Sequence, residues 1–395
     1  MKVLWLASWY PNVYEPYSGD FIQRHANAVA ALLPVDVIHV LQLGHKVNVA
    51  KDEVLVNKQD GLTEYVHAFK FNKFGLDFLD KLRYNIIYHR YYKNVIRHYI
   101  KQNGKPDLVH VHVPVKAGLI AIDLLKQYGR PFIVSEHSSH YDERSADYFF
   151  NRSKYFQRNT KKVIEQAAAV TNVSATIGKK LQSMFKIKNY RTVHNLVDTS
   201  LFYYKPKERE ERIRFLHVSS MNEQKNPSGI IKALAKFDET NKNWECVFCG
   251  PVQEDLKRLA NSLQLDHKIK FTGEITYKEV AVQMQLADVF ILFSNHENFP
   301  CVVIEALCCG LPVITSNAGG VAEAVNASNG LVIEIENTNQ LTEALTAMVN
   351  NVNEYNAQTI ALAAVKLYKK EKIAVDFIDL YKNLLNKNDE KPQRR

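Results

Sequence analysis

Two kinds of hydrophobic pattern alternate along the chain. Short apolar runs rich in β-branched residues are typical of buried strands, and the longer segments between them carry apolar residues at helical spacing. This alternation indicates β-α-β units and parallel sheets. In the first half it predicts strands at 2–8, 35–41, 107–112, 131–136 and 169–174, and helices that include 21–33 and 78–102.

The same alternation begins again after a break. The segment 197–212 is charged, contains a proline and lacks periodicity, which predicts a linker. Strands are then predicted at 213–220, 244–250, 269–273, 287–294 and 312–316, and a helical tail at 353–387. Ligands of doubly wound sheets bind at the carboxyl ends of the strands, so we expect a cleft between the two sheets.

Composition fits a globular protein with two domains. Of the 395 residues, 46% are hydrophobic and 24% are charged. No apolar run reaches the roughly 18–20 residues of a transmembrane helix, and the N-terminus lacks a signal-peptide cleavage site. We therefore expect a cytoplasmic protein. Residues 1–205 hold 29 Lys and Arg against 17 Asp and Glu, whereas residues 206–395 hold 22 against 25, so the two halves are expected to meet different partners.

The cysteines and paired histidines give no pattern of a metal or redox site. Cys246 and Cys249 form a C-x-x-C in a strand-like run, whereas a redox pair normally opens a helix and zinc would need a second pair. The five cysteines are therefore predicted to pack in cores. His110 and His112 are predicted to lie on alternate faces of a strand and so not to chelate a metal.

Two acids flank a predicted turn and helix start in "ENFPCVVIE". Glu297 follows the strand 287–294, and Glu305 lies eight positions later inside an apolar helix. Burying an unpaired carboxylate is costly, so Glu305 is expected to meet the hydroxyls of a ligand. The amides of Asn298 and Phe299, with the helix N-terminus behind them, predict a pocket for hydroxyl or phosphate oxygens. The alternative is a solvated acid at 297 and local pairing of Glu305.

This stretch resembles the retaining glycosyltransferases of family 4. Their hallmark, Glu-x7-Glu, matches Glu297 and Glu305 within "HENFPCVVIEALCCGLPVIT". The segments "SWYPNVYEPYSGDFIQRHANAVA", "DLVHVH", "SEHSS", "VHNLVD", "FTGEI" and "NAGGVAEAV" occur in the family's order, so the resemblance covers nearly the whole chain. It implies the α/β fold named GT-B: two facing Rossmann-like domains and a C-terminal helix that crosses back to the first. We expect an N-terminal acceptor domain over 1–205, a C-terminal nucleotide-sugar domain over 206–370, and the crossing helix with a tail over 371–395.

The resemblance also implies roles for the residues of the motif. Glu305 would bind the ribose hydroxyls of a nucleotide sugar. Glu297 would face the donor sugar, together with the amides of Asn298, Phe299 and Cys301.

Other segments would complete the donor site by the same resemblance. Lys225 would neutralise the diphosphate, Gly19 would let the backbone approach phosphates and acceptor, and His137 would lie across the cleft near the donor sugar. The family often has Gly-Arg before the lysine segment, where this chain has Ser219 and Ser220. Donor binding would then depend more heavily on Lys225, with Ser220 kept as a donor-binding candidate.

A glycine-bearing loop after the strand 312–316 is a further candidate. The amides of Gly319 and Gly320 are placed to approach a phosphate, although a plain turn explains these glycines equally well. Glu323, which follows them, is a candidate of second rank.

The expected reaction is transfer of a sugar with retention, to a saccharide or lipid-linked saccharide acceptor in polysaccharide or lipopolysaccharide synthesis. There is no obvious enzymic nucleophile and no Asp-x-Asp motif, so we expect a front-face displacement without metal or cofactor. A nucleotide-sugar epimerase of GT-B fold and a non-catalytic sugar-binding protein are the alternatives. A dinucleotide dehydrogenase lacks support because G-x-G-x-x-G does not follow the first strand.

A basic, aromatic segment over 69–105 suggests a further partner. It contains nine Lys and Arg but only two acidic residues, Asp77 and Asp80, and aromatic residues lie between the cations. Such a helix suits the anionic inner surface of a membrane, and reversing the charges of Arg90, Lys93 and Arg97 is expected to abolish binding. A core helix with solvated cations is the alternative; nucleic acid is not expected, because no recognition fold accompanies the charge.

Overall fold

The first half of the chain forms one sheet. The computed structural model describes residues 1–43, 52–208 and 211–389, and within them the strand order of this sheet is β3-β4-β2-β1-β5-β6-β7-β8. The strands are β1 (Val3–Ala7), β2 (Val35–Leu43), β3 (Glu53–Gln59), β4 (Leu62–Lys70), β5 (Leu108–His112), β6 (Phe132–Glu136), β7 (Ala169–Asn172) and β8 (Tyr190–Thr192). All neighbours are parallel except β3 and β4. The central strands β1, β5 and β6 are buried along their whole length, as expected of a parallel sheet covered on both faces.

Helices connect these strands as the hydrophobic spacing predicts. They are α1 (Asp20–Ala30), α2 (Asp77–Asn103), α3 (Ala117–Tyr128), α4 (Lys154–Gln166) and α5 (Ala175–Met184). Two of them begin at serine caps: Ser153 Oγ accepts from the Phe156 amide, and Ser174 Oγ accepts from the Ile177 amide. The helix predicted over 21–33 ends early, at Ala30. Pro34 disfavours the helical conformation in the residue before it, so the helix cannot continue through this point.

The second half forms another parallel sheet, with strand order β11-β10-β9-β12-β13-β14. Its strands are β9 (Ile213–Val218), β10 (Trp244–Cys249), β11 (Ile269–Gly273), β12 (Val289–Leu292), β13 (Val313–Ser316) and β14 (Gly330–Ile333). Its helices are α6 (Pro227–Asp238), α7 (Glu254–Ser262), α8 (Tyr277–Leu286), α9 (Cys301–Cys308), α10 (Thr338–Asn351) and α11 (Ala357–Tyr368). The chain passes from the first sheet to the second between β8 and β9. The predicted domain boundary at 205 lies between these two strands and stays a prediction.

The last helix, α12 (Lys370–Asp389), crosses back to the first sheet. Phe377 is buried against Trp5, His25 and His110, with ring centroids 6.1, 5.4 and 5.2 Å away. Tyr381 is also buried, and its hydroxyl lies 2.7 Å from His110 Nδ1. The crossing helix of the predicted fold is thus confirmed.

A hairpin was missed by the sequence prediction. Strands β3 and β4 pair in antiparallel fashion around Asp60-Gly61, whose φ angles of 45° and 83° suit a tight hairpin turn. This dipeptide was a readable signal. The short edge strands β8 and β14 were also missed, since three or four residues carry too little pattern.

The helical tail predicted over 353–387 is divided in two. The tail is two helices, because Lys369 is extended and forms a bridge with Val197 at the crossing between the halves. Residues 209–210 of the predicted linker and 390–395 of the predicted tail lie outside the described residues.

The prediction for His110 and His112 was wrong. Residues two apart on a strand point to the same face, and the two rings are 4.0 Å apart. Both are fully buried, and His110 contacts Ser135 Oγ at 2.7 Å through Nε2. Cys246 and Cys249 lie in β10 and are buried, as predicted.

None of the described helices is long and apolar enough to cross a lipid bilayer.

Candidate active site

Two adjacent strands of the second sheet place the predicted lysine and the first glutamate together. Lys225 ends a 3-10 turn after β9, and Glu297 follows β12. The loops are joined by two hydrogen bonds of 2.8 Å: the Asn295 amide donates to the Gln224 carbonyl, and Gln224 Nε2 donates to the His296 carbonyl. Lys225 Nζ donates directly to Glu297 Oε1. The two groups predicted from separate segments therefore form one ion pair.

Both members of this pair are shielded from water. The side chain of Glu297 is 7% exposed and that of Lys225 is 17% exposed. Electrostatic interactions strengthen where water is excluded, so the pair presents a strongly held acceptor and donor side by side. A carboxylate accepts hydroxyl hydrogens, and an ammonium donates to phosphate oxygens.

A cavity of about 880 Å³ opens between the halves beside this pair. Trp9, His137 and Arg144 line it from the first half, and Gln224 and His296 line it from the second. His137 is therefore on the cavity wall, as predicted. Glu297 and Lys225 stand directly next in sequence to the lining residues His296 and Gln224.

His137 carries a polar atom without a partner. Its Nε2 lies 3.1 Å from His112 Nδ1, and the two rings stack at 5.4 Å. Its Nδ1 is buried and has no hydrogen-bond partner. Burial lowers the pKa of His137 well below its ordinary value, and nearby His25 lowers it further. The imidazole is thus neutral near pH 7 and can exchange a hydrogen bond with a ligand without bringing charge.

Asn298 joins the two halves at the cleft. Its Oδ1 accepts from Ser174 Oγ at 3.2 Å, and its Nδ2 donates to the His137 carbonyl at 3.1 Å. Its own carbonyl accepts from the Gly320 amide at 2.9 Å. The Gly320 amide is therefore already bonded, which contradicts the expectation that it is free for a phosphate.

Gly319 and Gly320 support the Glu297 loop by close packing. Gly319 has φ 62°, and a Cβ there would lie 1.9 Å from the Glu297 carbonyl oxygen. A Cβ on Gly320 would lie 2.3 Å from Ser174 Cβ. Both positions require glycine because the backbone of one loop and the other half of the molecule come so near.

The neighbours of Asn298 face the crossing between the halves. The ring of Phe299 stacks on His194 at 4.8 Å, and its carbonyl accepts from Asn195 Nδ2 at 2.8 Å. Cys301 begins α9, and burial raises its thiol pKa to about 12. The predicted contact of these two residues with a donor sugar is through their backbone amides and stays a prediction.

Glu305 is paired, although not locally. Its Oε1 accepts from the Tyr277 hydroxyl at 2.5 Å and from Arg24 Nη1 at 3.1 Å. Arg24 lies in α1 of the first half, and the sequence analysis found neither it nor Tyr277. Burial raises the pKa of Glu305, while Arg24 and Tyr277 act against the rise. No local pattern could have revealed a partner 281 positions away.

Three further candidates have structural settings of their own. Gly19 has φ 70°, and a Cβ there would lie 2.8 Å from the Trp9 carbonyl carbon, so glycine is required where this loop turns into α1. Ser220 is exposed just after β9. Glu323 accepts from the Thr176 and Ala175 amides at 2.6 and 2.8 Å. It therefore caps α5 of the other half.

Among the described residues, no group of three His, Cys, Asp or Glu side chains is arranged to hold a metal ion.

Comparison with known families covers both halves. Residues 18–201 match the model described as Glycosyltransferase Family 4, and residues 203–364 match the model described as Glycosyl transferases group 1. The chain belongs to glycosyltransferase family 4. This family-4 enzyme shows the GT-B arrangement expected of that family, and the candidate site lies beside the cleft between its two sheets.

Individual similarities are low but extend over nearly whole chains. N-acetyl-alpha-D-glucosaminyl L-malate synthase of Bacillus anthracis is 22% identical over 82% of this chain and 91% of its own. The putative teichuronic acid biosynthesis glycosyltransferase TuaC of Bacillus subtilis is 23% identical over 88% of both chains. Among solved structures, Anabaena HepE in complex with UDP-glucose has a TM-score of 0.68 at 17% identity, covering 97% of this chain and 100% of its own.

Proposed function

We propose that this glycosyltransferase takes a nucleotide-diphosphate sugar as donor and transfers the sugar with retention of anomeric configuration. The Lys225–Glu297 pair beside the cleft carries this proposal. It provides one group suited to a diphosphate and one suited to sugar hydroxyls, at the carboxyl ends of neighbouring strands. The solved HepE complex, which contains UDP-glucose, supports the choice of donor class.

In the proposed reaction, the bond between the anomeric carbon and the diphosphate oxygen breaks, and its electron pair stays on the diphosphate. Lys225 stabilises that developing negative charge, while Glu297 accepts hydrogen bonds from the donor sugar. The acceptor hydroxyl oxygen bonds to the anomeric carbon on the face that the diphosphate leaves. The hydroxyl proton passes to the departing diphosphate oxygen, which balances the exchange and accounts for retention without an enzymic nucleophile.

The proposed reaction needs no metal ion or cofactor. The positive charge that a metal would supply comes from Lys225 and from the backbone amides at the start of α9. Activity is expected to survive EDTA. Loss of activity in EDTA and its return with magnesium would contradict this part of the proposal.

Product analysis tests the proposed chemistry. The protein is incubated with UDP-glucose, other UDP-sugars and GDP-sugars, with and without saccharide acceptors, and the new linkage is examined by proton NMR. Retention gives the anomeric configuration of the donor. An inverted linkage would contradict the mechanism, and an isomerised nucleotide sugar formed without acceptor would indicate an epimerase instead.

We propose a saccharide or lipid-linked saccharide of envelope polysaccharide synthesis as the acceptor, met at the cytoplasmic face of a membrane. The name of the relative TuaC refers to teichuronic acid biosynthesis, which supports this class. The net positive charge of the first half supports a location at a membrane surface, since residues 1–205 hold 29 Lys and Arg against 17 Asp and Glu.

The middle of α2 is a core helix, which changes the expected membrane contact. Tyr88 and Tyr92 are buried, and their hydroxyls donate to carbonyls of β2 at 2.9 Å. Lys93 forms an ion pair with Asp123 at 2.9 Å. In this part of the segment the aromatic residues pack inward, which supports the alternative of a core helix there.

Exposed apolar residues lie instead at the start of α2 and just before it. We name them the α2 patch: Phe74, Leu76, Phe78, Leu79, Leu82 and Ile86, which are 53% to 79% exposed. The exposed cations Lys70, Lys73 and Lys81 lie close to it in sequence. Apolar side chains that enter a bilayer beside cations that attract its headgroups are the features of an interfacial helix. The patch follows the carboxyl end of β4, on the edge of the sheet that faces the cleft.

Vesicle flotation tests this surface. The protein is expected to bind vesicles containing phosphatidylglycerol, weakly in high salt, and less well to vesicles of phosphatidylcholine alone. Phe74→Ser with Phe78→Ser should abolish binding, whereas Leu362→Ser, at a residue of α11 that is 65% exposed, should not. Reversal of Arg90, Lys93 and Arg97 should weaken binding less than the patch variant does. Equal binding by the patch variant and wild type would contradict the surface.

A further inference from the structure

Glu305 receives its counter-charge from the opposite half of the molecule. It lies on α9 of the second half and is 1% exposed. Among the described residues of that half, Tyr277 is the one whose side chain hydrogen-bonds it. Tyr277 is a neutral donor at neutral pH, because burial raises its hydroxyl pKa. The cation, Arg24, comes from α1 of the first half.

Arg24 is held firmly in this position. Its Nη2 pairs with Asp20 Oδ2 at 2.8 Å, and its Nη1 donates to the Tyr277 hydroxyl at 2.6 Å as well as to Glu305. The guanidinium carbon also lies 5.2 Å from the centroid of the Tyr277 ring. A planar guanidinium with several donors suits such a bridge better than a lysine would.

One carboxylate oxygen of Glu305 takes no part in the bridge. Both contacts to Glu305 are made by Oε1, so Oε2 is left to accept a ligand hydroxyl. A second cavity, of about 400 Å³, adjoins the bridge and is lined by Arg24, Tyr277 and Asn27 among others. Arg24 Nε is buried without a hydrogen-bond partner, which is a further donor at this place.

The ionised form of Glu305 is the better acceptor of hydroxyl hydrogens, because a neutral acid uses one of its oxygens as an O–H donor. Burial in an apolar helix favours the neutral acid, and a nearby guanidinium favours the ion. When the halves separate, Arg24 moves away with α1 and Glu305 loses the one cation that contacts it in the described part of the chain.

We infer that Arg24 is a positioning residue that supplies Glu305 with its counter-charge from across the cleft, so that the ribose site of a nucleotide sugar is complete only when the two halves are closed. This rests on the proposed function, in which Glu305 binds ribose hydroxyls. It adds a residue of the acceptor-binding half to donor recognition and links donor binding to closure.

Kinetics with UDP-glucose and UDP binding by calorimetry test the inference on the full chain. Arg24→Met removes the charge at similar length, and Arg24→Lys retains a charge. Arg191→Met is the matched control, because Arg191 also joins separate elements through an ion pair, to Asp376 of α12 at 2.9 Å, but lies away from Glu305. We expect Arg24→Met to raise the KM for UDP-glucose and the Kd for UDP by at least tenfold with kcat within threefold, and Arg24→Lys to recover part of the affinity.

Two results would overturn the inference while the proposed function stands. In the first, the wild-type protein transfers glucose, and Arg24→Met binds the donor as tightly as the control Arg191→Met does. The other is an equal loss of affinity in Arg24→Met whether residue 305 is Glu or Gln, because a residue that acts through Glu305 should add little once that carboxylate is gone.

A measurement without ligand separates failure of the inference from failure of the function. Urea unfolding of Arg24→Met, Glu305→Gln and the double variant should show coupling between the two sites. If the variants show this coupling but the wild-type protein neither binds UDP nor uses UDP- or GDP-sugars, the proposed function is wrong and Arg24 is only a structural bridge. Absence of coupling overturns the inference whatever the activity.

Discussion

The two halves of the molecule have similar sheets but contribute to the cleft differently. In the second half, Lys225 and Glu297 follow neighbouring strands, so the sheet itself brings them together. In the first half, the groups that meet the second half come from three separate elements. Arg24 contacts Glu305 and Tyr277, while His137 and Ser174 both contact Asn298.

This difference separates the chemistry of the site from its assembly. The groups proposed for the diphosphate and the sugar, Lys225 and Glu297, follow two strands of one sheet, so a relative movement of the halves would leave their pairing unchanged. The groups that respond to such movement are supplied by the other half. Substitutions of Lys225 and Glu297 should therefore reduce the reaction itself, and substitutions of residues that join the two halves should alter donor affinity and closure.

The largest effect is expected at Glu297. Glu297→Ala removes the acceptor proposed for the donor sugar and leaves Lys225 without its partner, so kcat should fall by about 1,000-fold or more, which is about 4 kcal/mol. Steady-state kinetics with a panel of nucleotide sugars measure this. Glu297→Gln serves as the control for shape, and thermal unfolding checks that both variants fold. Activity within tenfold of wild type in the Ala variant would remove Glu297 from the site.

Lys225→Ala should have the next largest effect. Loss of the ammonium that is proposed to stabilise the departing diphosphate is expected to cost about 3 kcal/mol, or more than 100-fold in kcat. Lys207→Ala is the matched control: Lys207 also forms an ion pair in the second half, with Asp288 at 2.7 Å, but lies away from the cleft. If the two variants lose activity equally, Lys225 has no special role in transfer.

Much of the fold was predictable because its pattern is local. Each of the ten strands predicted from apolar runs overlaps an observed strand. The helical tail predicted over 353–387 is observed as α11 and α12, with Ile373, Phe377 and Tyr381 of α12 buried. The strands β8 and β14 were not predictable in this way, since their apolar runs hold at most three residues.

The candidate site was predictable only in part, for a related reason. Glu297 and Glu305 stand eight residues apart and can be recognised as a unit, and Lys225 follows a predicted strand. The bridge from Arg24 to Glu305 joins residues 281 positions apart, and only the packed halves bring them together. Gly319 and Gly320 were recognised as special, but their role in packing depends on neighbours in another loop.

A pH dependence should distinguish Glu305 from an ordinary surface acid. Its pKa is raised by burial, with Arg24, Tyr277 and Asp20 as the other groups that face it. Because the ionised form is proposed to bind ribose, donor affinity should fall on acidification at a higher pH than an ordinary carboxylate would cause. Glu305→Gln should weaken donor binding by about 2 kcal/mol at neutral pH and should remove this pH dependence. Calorimetry with UDP between pH 5 and 8 measures both, and an unchanged pH profile in the Gln variant would contradict the assignment.

The smallest effect is expected for closure itself, at Glu323. This carboxylate of the second half accepts from the Ala175 and Thr176 amides of α5 in the first half, and a cap of this kind contributes about 1 kcal/mol. Glu323→Ala should therefore shift the donor-free protein toward an open form, seen as a larger radius of gyration in small-angle scattering, while kcat changes little. A saturating nucleotide sugar should restore compactness, because a ligand that contacts both halves favours the closed state. Glu334→Ala, at an exposed acid after β14, is the control. If Glu323→Ala and the control have the same radius of gyration and a nucleotide sugar changes neither, the halves are rigidly joined. The contrast between the residues that react and the residues that join the halves then fails.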